Sequence, residues 1–210
     1  MHLPAIAIAA ALLASTASAA PDQSLESLAA PEAREAVAAA RAGLARFLDA
    51  IPKDRTAGYG FADRAEIARA RLAPPYHLWI VDPKGQHVAE TSEWRFPVEV
   101  DGRYRALLTV SPVDGKYQAV DFGAAGLAAE LFTLERDRAV AKGSRRVLLR
   151  LHALRADLVA FPAKAARVQD TSFEPLASAR ALENAPQSAV PYGRLMPWIH
   201  ERVEALPPTR

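Results

Sequence analysis

Hydrophobic residues recur with a helical period after Pro31. The larger apolar side chains of this stretch fall on one face of a helix, and charged residues occupy its other faces. These apolar residues are Val37, Leu44, Leu48 and Ile51. Proline suits the first turn of a helix, and Pro52 cannot continue one. The pattern therefore predicts a helix over residues 31–51.

The stretch from Tyr76 to Phe122 changes to the period of two that is typical of β-strands. A first strand is predicted over 77–81, and apolar and polar residues then alternate along 93–100. Two Asp-Gly pairs, Asp101-Gly102 and Asp114-Gly115, mark hairpin turns. The pattern therefore predicts a strand followed by a three-stranded antiparallel meander.

The faces of the alternating residues distinguish two hairpin registers. A two-residue turn at Asp101-Gly102 sets Val98 opposite Arg105, whereas a three-residue loop sets Val98 opposite Tyr104. Because the second register keeps apolar residues together, we expect a type I turn with a G1 bulge at both Asp-Gly pairs. Its buried face carries Trp94, Phe96, Val98, Tyr104, Ala106, Leu108, Val110, Val120 and Phe122. Pro97 lacks an N–H and predicts an edge strand.

Weaker patterns predict the remaining elements. Leu127, Leu131 and Leu134 share one face of a predicted helix over 124–142 that Gly143 caps. The stripe of Leu195, Ile199, Val203 and Leu206 predicts a last helix over 195–206. Shorter patterns indicate a helix over 63–72, strands over 145–151 and 157–161, and a helix over 174–182.

This order of elements predicts an α+β fold with helices packed on a curved antiparallel sheet. We expect a single domain over 31–206, followed by a tail over 207–210. The succession of helices, meander, helix and further strands over 31–161 resembles exported cystatin-like or NTF2-like rolls. The resemblance is one of pattern and transfers no functional residue.

The N-terminal residues predict an export signal. Leu3–Ala14 is almost entirely apolar but too short to span a bilayer, and Ala17-Ser18-Ala19 forms a small-x-small cleavage pattern. We therefore expect a signal peptide over 1–19, a short flexible N-terminus over 20–30, and a periplasmic or secreted protein. Because Met1-His2 carries no Lys or Arg, a retained tethering helix is the alternative.

Composition limits the available chemistry. The absence of cysteine excludes disulfides, thiolate metal sites and a cysteine nucleophile. With 26 basic and 24 acidic residues, the net charge of +2 indicates no nucleic-acid partner. No segment after the signal is long and apolar enough to predict a membrane span. The abundance of alanine and arginine is typical of a GC-rich bacterial genome.

Motifs of the common catalytic sites are missing from the sequence. It contains no G-x-S-x-G elbow, no H-E-x-x-H and no phosphate-binding glycine loop. His77 and His87 flank Trp79 in a predicted hairpin, but about 13 Å of strand separates them. Two ligands of one zinc ion must each lie within about 2 Å of the metal. We therefore expect neither a metal site nor a cofactor.

Two groups of residues are candidate binding sites. The first is an aromatic cluster that could line a pocket between sheet and helices, namely Tyr76, His77, Trp79 and Trp94. The second is the pair Arg146 and Arg150, which shares one face of a predicted strand and would bind an anion or an acidic partner. The alternatives are that the aromatic residues form core and that the arginines complement a helix end and protect an edge strand.

These patterns predict an exported bacterial protein that binds an unknown small ligand or protein partner and is not an enzyme. The alternative is a small hydrolase or isomerase with a sheet-lined pocket. That enzyme would have to draw its catalytic residues from separate strands, namely His77, Asp82, Glu90 and Asp121.

The export signal is tested by N-terminal sequencing of the protein recovered from the periplasm or the medium. We expect the chain to begin at Ala20, because the signal peptidase accepts small residues at the positions of Ala17 and Ala19. An Ala19→Leu variant should remain uncleaved. Exported wild-type protein that begins at Met1 would contradict the prediction.

Overall fold

The structure, a computed structural model, describes residues 31–140 and 144–207. The predicted signal peptide, the N-terminus over 20–30, the Gly143 cap and all but Pro207 of the predicted tail lie outside these residues. The predictions for these residues therefore stay predictions.

The described residues form an α+β fold. The helices are α1 (Pro31–Asp49), α2 (Arg64–Ala68), α3 (Ala125–Arg138), α4 (Ala177–Arg180) and α5 (Tyr192–Glu204), with 3-10 turns at Thr56–Tyr59 and Val168–Asp170. The strands are β1 (Arg71–Leu72), β2 (Tyr76–Val81), β3 (Val88–Val100), β4 (Arg103–Val113), β5 (Lys116–Gly123), β6 (Val147–Leu151), β7 (Ala156–Ala160), β8 (Ser172–Pro175) and β9 (Val190–Pro191).

The strands form one open sheet in the order β5-β4-β3-β2-β6-β7-β8-β9, and β1 pairs with β3. Neighbouring strands are antiparallel except β2 and β6, which run parallel. The sheet is therefore mostly, but not wholly, the antiparallel sheet that the sequence predicts. The parallel pair arises because β6 follows the helix α3 and not a hairpin turn.

Helices pack on both faces of the sheet. On the front face, α1 and α2 cover β3, β4 and β5, and α5 covers β2, β6 and β7. On the back face, α3 places Leu131 against Leu78 and Leu148. Trp79 is 1% exposed and lies in one buried cluster with Leu195 and Ile199, so α5 covers this part of the front face.

Both Asp-Gly turns are two-residue loops. The φ angles of Asp101 and Gly102 are 50° and 73°, and the second Asp-Gly pair has φ angles of 50° and 75°. Positive φ at both positions is the geometry of a type I′ turn. Val100 accordingly pairs with Arg103, so the predicted three-residue loops are wrong.

A bulge beyond each turn restores the pairing of apolar residues. Register shifts set Val98 opposite Ala106 and Leu108 opposite Phe122. Two residues of the predicted buried face are therefore elsewhere: Tyr104 contacts Phe132 of α3 on the back face, and Val120 is 43% exposed. The sequence argument failed because it placed the extra residue inside the turn and not within the strand.

The predicted edge position of Pro97 is also wrong, since β3 has neighbours on both sides. The backbone N–H of Ala73 donates to the Pro97 carbonyl at 2.8 Å. Because the nitrogen and the carbonyl of one strand residue point to the same side, the missing N–H of Pro97 faces the break between β1 and β2. The ladder between β3 and β4 therefore loses no hydrogen bond.

Several helix limits differ from the predicted ones. Helix α2 ends at Ala68, and the chain then turns into β1; its N-terminus is capped by the Asp63 carboxylate, which accepts from the Glu66 N–H. Helix α3 ends at Arg138, where Ala139 adopts a left-handed conformation with φ 44°. The helix predicted over 174–182 is the strand β8 followed by the single turn α4.

The positive φ angles predict a cost for replacing the turn glycines. We expect Gly102→Ala to lower the free energy of unfolding by about 1 kcal/mol, because an L residue is strained in this conformation. Gly58→Ala is the matched control: a Cβ finds open space at both positions, but Gly58 does not have the positive φ of Gly102. Equal stabilities of the two variants in urea would contradict the argument.

Candidate functional site

The aromatic cluster is divided between the two faces of the sheet. Tyr76 lies on the back face beneath α3. His77, Trp79 and Trp94 lie on the front face, where His77 pairs with Trp94 across β2 and β3. Tyr76 and both tryptophans are buried. The structure therefore brings three of the four predicted residues together and separates Tyr76 from them.

The ring of His77 contacts three neighbours: Trp94, Thr91 and Trp79. Its ring stacks on Trp94, with centroids 4.4 Å apart and planes 11° apart. Nε2 lies 2.5 Å from the Thr91 carbonyl oxygen, and Nδ1 lies 3.3 Å from the Trp79 indole nitrogen. Because a carbonyl accepts and an indole N–H donates, these contacts match a neutral imidazole with its proton on Nε2. Both ring nitrogens are thus used within the sheet.

Glu90 and Arg145 form the outer rim of this cluster. Glu90 Oε2 lies 3.8 Å from His77 Nδ1, and Glu90 Oε1 lies 3.9 Å from the Arg145 guanidinium. The same guanidinium lies 5.3 Å from the centroid of the Trp79 ring. Side chains of the protein itself therefore cover the aromatic residues, and ligand binding by this cluster stays a prediction.

The other two residues of the enzyme alternative lie apart from His77. The Asp82 carboxylate accepts backbone N–H bonds from Lys84, Gln86 and His87, and the bond from His87 contributes most to lowering the pKa of Asp82. Asp121 pairs with Thr109 on the back face, 3.9 Å from the Arg95 guanidinium. The four residues therefore do not assemble into one site.

Arg146 is bound by a carboxylate of α3. Its Nε and one terminal nitrogen each donate to Glu135 at 3.0 Å, and the Tyr76 hydroxyl donates to the same carboxylate. Burial, followed by the negative charge of Glu135, raises the pKa of Tyr76 well above its ordinary range. The same two causes raise the pKa of Tyr104. This group of four side chains connects α3 to the starts of β2, β4 and β6.

Arg150 is paired in the same way, across the β6–β7 hairpin. Its Nε and one terminal nitrogen donate to the two carboxylate oxygens of Asp157, at 2.8 and 3.2 Å. Arg150 and Arg146 do share the back face with Leu148, as the alternation predicts. Each arginine nevertheless pairs with a carboxylate of the same chain, so its position is explained without binding to another molecule. Anion binding by them stays a prediction.

A cleft of about 680 Å³ opens at the C-terminal end of α3. Its polar wall includes Arg138 of α3 and Glu174 of β8, which form an ion pair. The Glu174 side chain is 13% exposed. Val140, Val159 and Phe161 supply an apolar wall. A volume of this size falls within the range of small-molecule sites.

The sequence indicates nothing of this cleft, and none of the predicted site residues lines it. Most of the lining comes from the end of α3, from β7 and the loop after it, and from β8, which are brought together only by the strand order. Lining side chains so far apart in the sequence form no motif. The sequence feature nearest to the cleft is the pair of basic residues, Arg136 and Arg138, in the last turn of α3.

The residues described here offer neither a metal centre nor a membrane span. Within 31–140 and 144–207, no three His, Asp or Glu side chains are grouped to hold a metal ion. No helix in these ranges combines the length and the apolar character that crossing a bilayer requires. No protein-family model, curated protein or solved structure matches the chain. A functional proposal therefore rests on the geometry of the site itself.

The Glu135 ion pair predicts a stability change. We expect Arg146→Ser to lower the free energy of unfolding by about 2–4 kcal/mol, because it leaves a largely buried carboxylate without its cation. Arg136→Ser is the control, since Arg136 pairs with Asp137 in solvent and such pairs contribute little. Urea unfolding measures both. An Arg146→Ser variant as stable as Arg136→Ser would restore the anion-binding interpretation of Arg146.

Proposed function

We propose that the protein is an exported binding or accessory protein without catalytic activity, and that the cleft at the end of α3 holds a small ligand. The main observation in support of the proposal is the cleft itself, an open space lined by both apolar and polar side chains. Phe161 and Val140 offer apolar contact, and the ion pair of Arg138 with Glu174 presents polar groups at the wall of the cleft.

The exposed surface favours a small ligand over a protein partner. Within the described residues, the exposed large hydrophobic side chains are Val113, Val120 and Leu206. The centre of a protein interface is usually enriched in aromatic residues and arginine. None of these three side chains is aromatic, so the described surface offers no exposed aromatic anchor, although it does carry exposed arginines.

The predicted export of the protein is an independent argument for this proposal. The apolar stretch Leu3–Ala14 and the pattern Ala17-Ser18-Ala19 are the features expected of a cleaved signal peptide. The resemblance to cystatin-like or NTF2-like rolls is compatible with an exported binding protein. The parallel pairing of β2 with β6 departs from a wholly antiparallel roll, so that finer fold assignment remains a proposal.

One observation favours the enzyme alternative: the Glu90 carboxylate lies 3.8 Å from His77. A histidine that acts as a base needs a ring nitrogen available to the substrate. Both nitrogens of His77 already have partners in Thr91 and Trp79. The cleft wall, as described, contains no histidine. The geometry therefore supports the binding proposal more than the enzyme alternative.

The ligand is tested by native mass spectrometry of the protein purified from its own host without denaturation. We expect wild-type protein to carry a small molecule that Ala163→Trp loses, because Ala163 is an exposed residue of the cleft wall and a tryptophan there occupies the open space. Ala153→Trp is the matched control, since Ala153 is exposed in the turn between β6 and β7 and does not line the cleft.

The outcomes separate the two functions. A ligand that is retained by Ala163→Trp as firmly as by Ala153→Trp would contradict the cleft as its site. Turnover of a small ester, lost on His77→Gln and kept in Ala163→Trp, would favour the hydrolase. Wild-type protein that carries no molecule, tested on several preparations, would count against a small ligand and in favour of a protein partner.

A further inference from the structure

Strand β5 lies at one edge of the sheet. Its eight residues, Lys116–Gly123, pair with β4 on one side, and no strand of the described chain lies on the other. The free N–H and C=O groups of such an edge can pair with a strand of another chain. Proteins commonly protect long edges by bulges, charges or covering groups.

Arg46 of α1 reaches this edge. One of its terminal nitrogens donates to the Ala119 carbonyl oxygen at 2.7 Å, and the guanidinium lies 5.0 Å from the centroid of the Phe47 ring. Helix α1 approaches closely because Gly43 has no side chain: a Cβ there would overlap that of Ala119. A charged donor from the helix therefore occupies a carbonyl in the middle of the edge strand.

The same edge carries a bulge and exposed apolar side chains. Ala119 pairs with Val110, whereas Asp121 pairs with Thr109, so Val120 is the inserted residue. The bulge interrupts the regular spacing of hydrogen-bonding groups. Among residues 31–140 and 144–207, two of the three exposed large hydrophobic side chains, Val113 and Val120, lie on the β4–β5 hairpin. The exposed apolar side chains favour contact with another strand and the bulge opposes it, so the contact from Arg46 adds to the protection of this edge.

We infer that Arg46 blocks strand addition at this edge and keeps β5 from pairing with the β5 of a second copy of this chain. Charge favours a second copy as the partner. One register of an antiparallel pair of β5 strands sets Lys116 near the start of one strand beside Asp121 near the end of the other. Opposite charges at facing positions stabilise a pair of strands. The inference is independent of the proposed ligand cleft.

The inference is tested by sedimentation velocity over a range of protein concentrations. We expect wild-type protein to be monomeric and Arg46→Ala to self-associate about tenfold or more tightly, because the Ala119 carbonyl becomes available to a second strand. Arg34→Ala is the control: it removes an exposed arginine of the same helix, about 18 Å from Arg46 along the axis. Arg46→Lys, which keeps a charged donor, should remain close to wild type.

A second substitution identifies the surface that associates. Adding Val120→Lys to Arg46→Ala should restore the monomer, since a lysine on an edge strand opposes strand pairing. Folded Arg46→Ala that stays monomeric would overturn the inference, as would association that Val120→Lys does not reverse, or a wild-type dimer of equal affinity. If Arg46→Ala unfolds, Arg46→Leu keeps the side-chain stem on Phe47, removes the donor and is judged by the same outcomes.

Discussion

The parallel pairing of β2 with β6 joins the two halves of the sheet, and much of the remaining structure depends on it. Strand β5 ends at the outer edge of the sheet, whereas β6 begins beside the central strand β2. The chain must therefore cross one face between them, and α3 makes that crossing. Because helices then cover both faces of the centre, β2 and β6 are apolar along most of their length instead of strictly alternating.

The crossing helix also determines where charge is buried. Glu135 of α3 comes to lie over Arg146, and Glu130 pairs with Arg180, which follows β8. Farther along the helix, Arg138 pairs with Glu174 and forms one wall of the cleft. These three ion pairs hold α3 onto the half of the sheet that begins with β6, whereas the Tyr76 hydroxyl connects Glu135 to β2 in the other half. The cleft opens where the helix ends. The cleft and the back-face packing therefore have the same topological origin.

Burial could be predicted from the sequence wherever apolar and polar residues alternate along a strand without interruption. Trp94, Phe96 and Val98 are buried on one face of β3, as their alternation indicates. The prediction failed for Tyr104 and Val120, on the strands that follow each Asp-Gly turn. A bulge reverses the faces of all residues beyond it, and its position is decided by packing across the sheet rather than by the turn residues. Alternation alone therefore assigns faces only up to the first bulge.

Arg146 and Arg150 show which features of a candidate site can be predicted from the pattern of neighbouring residues. Alternation placed Arg146 and Arg150 on one face correctly but indicated nothing about their partners. The partner of Arg150 could have been predicted from the sequence, because a hairpin that pairs Leu151 with Ala156 sets Arg150 opposite Asp157. The partner of Arg146 was not, since Glu135 lies on a crossover helix whose position depends on the parallel pair. Alternation therefore indicates which face two arginines share, whereas the carboxylates that pair with them come from α3 and β7 and depend on the topology.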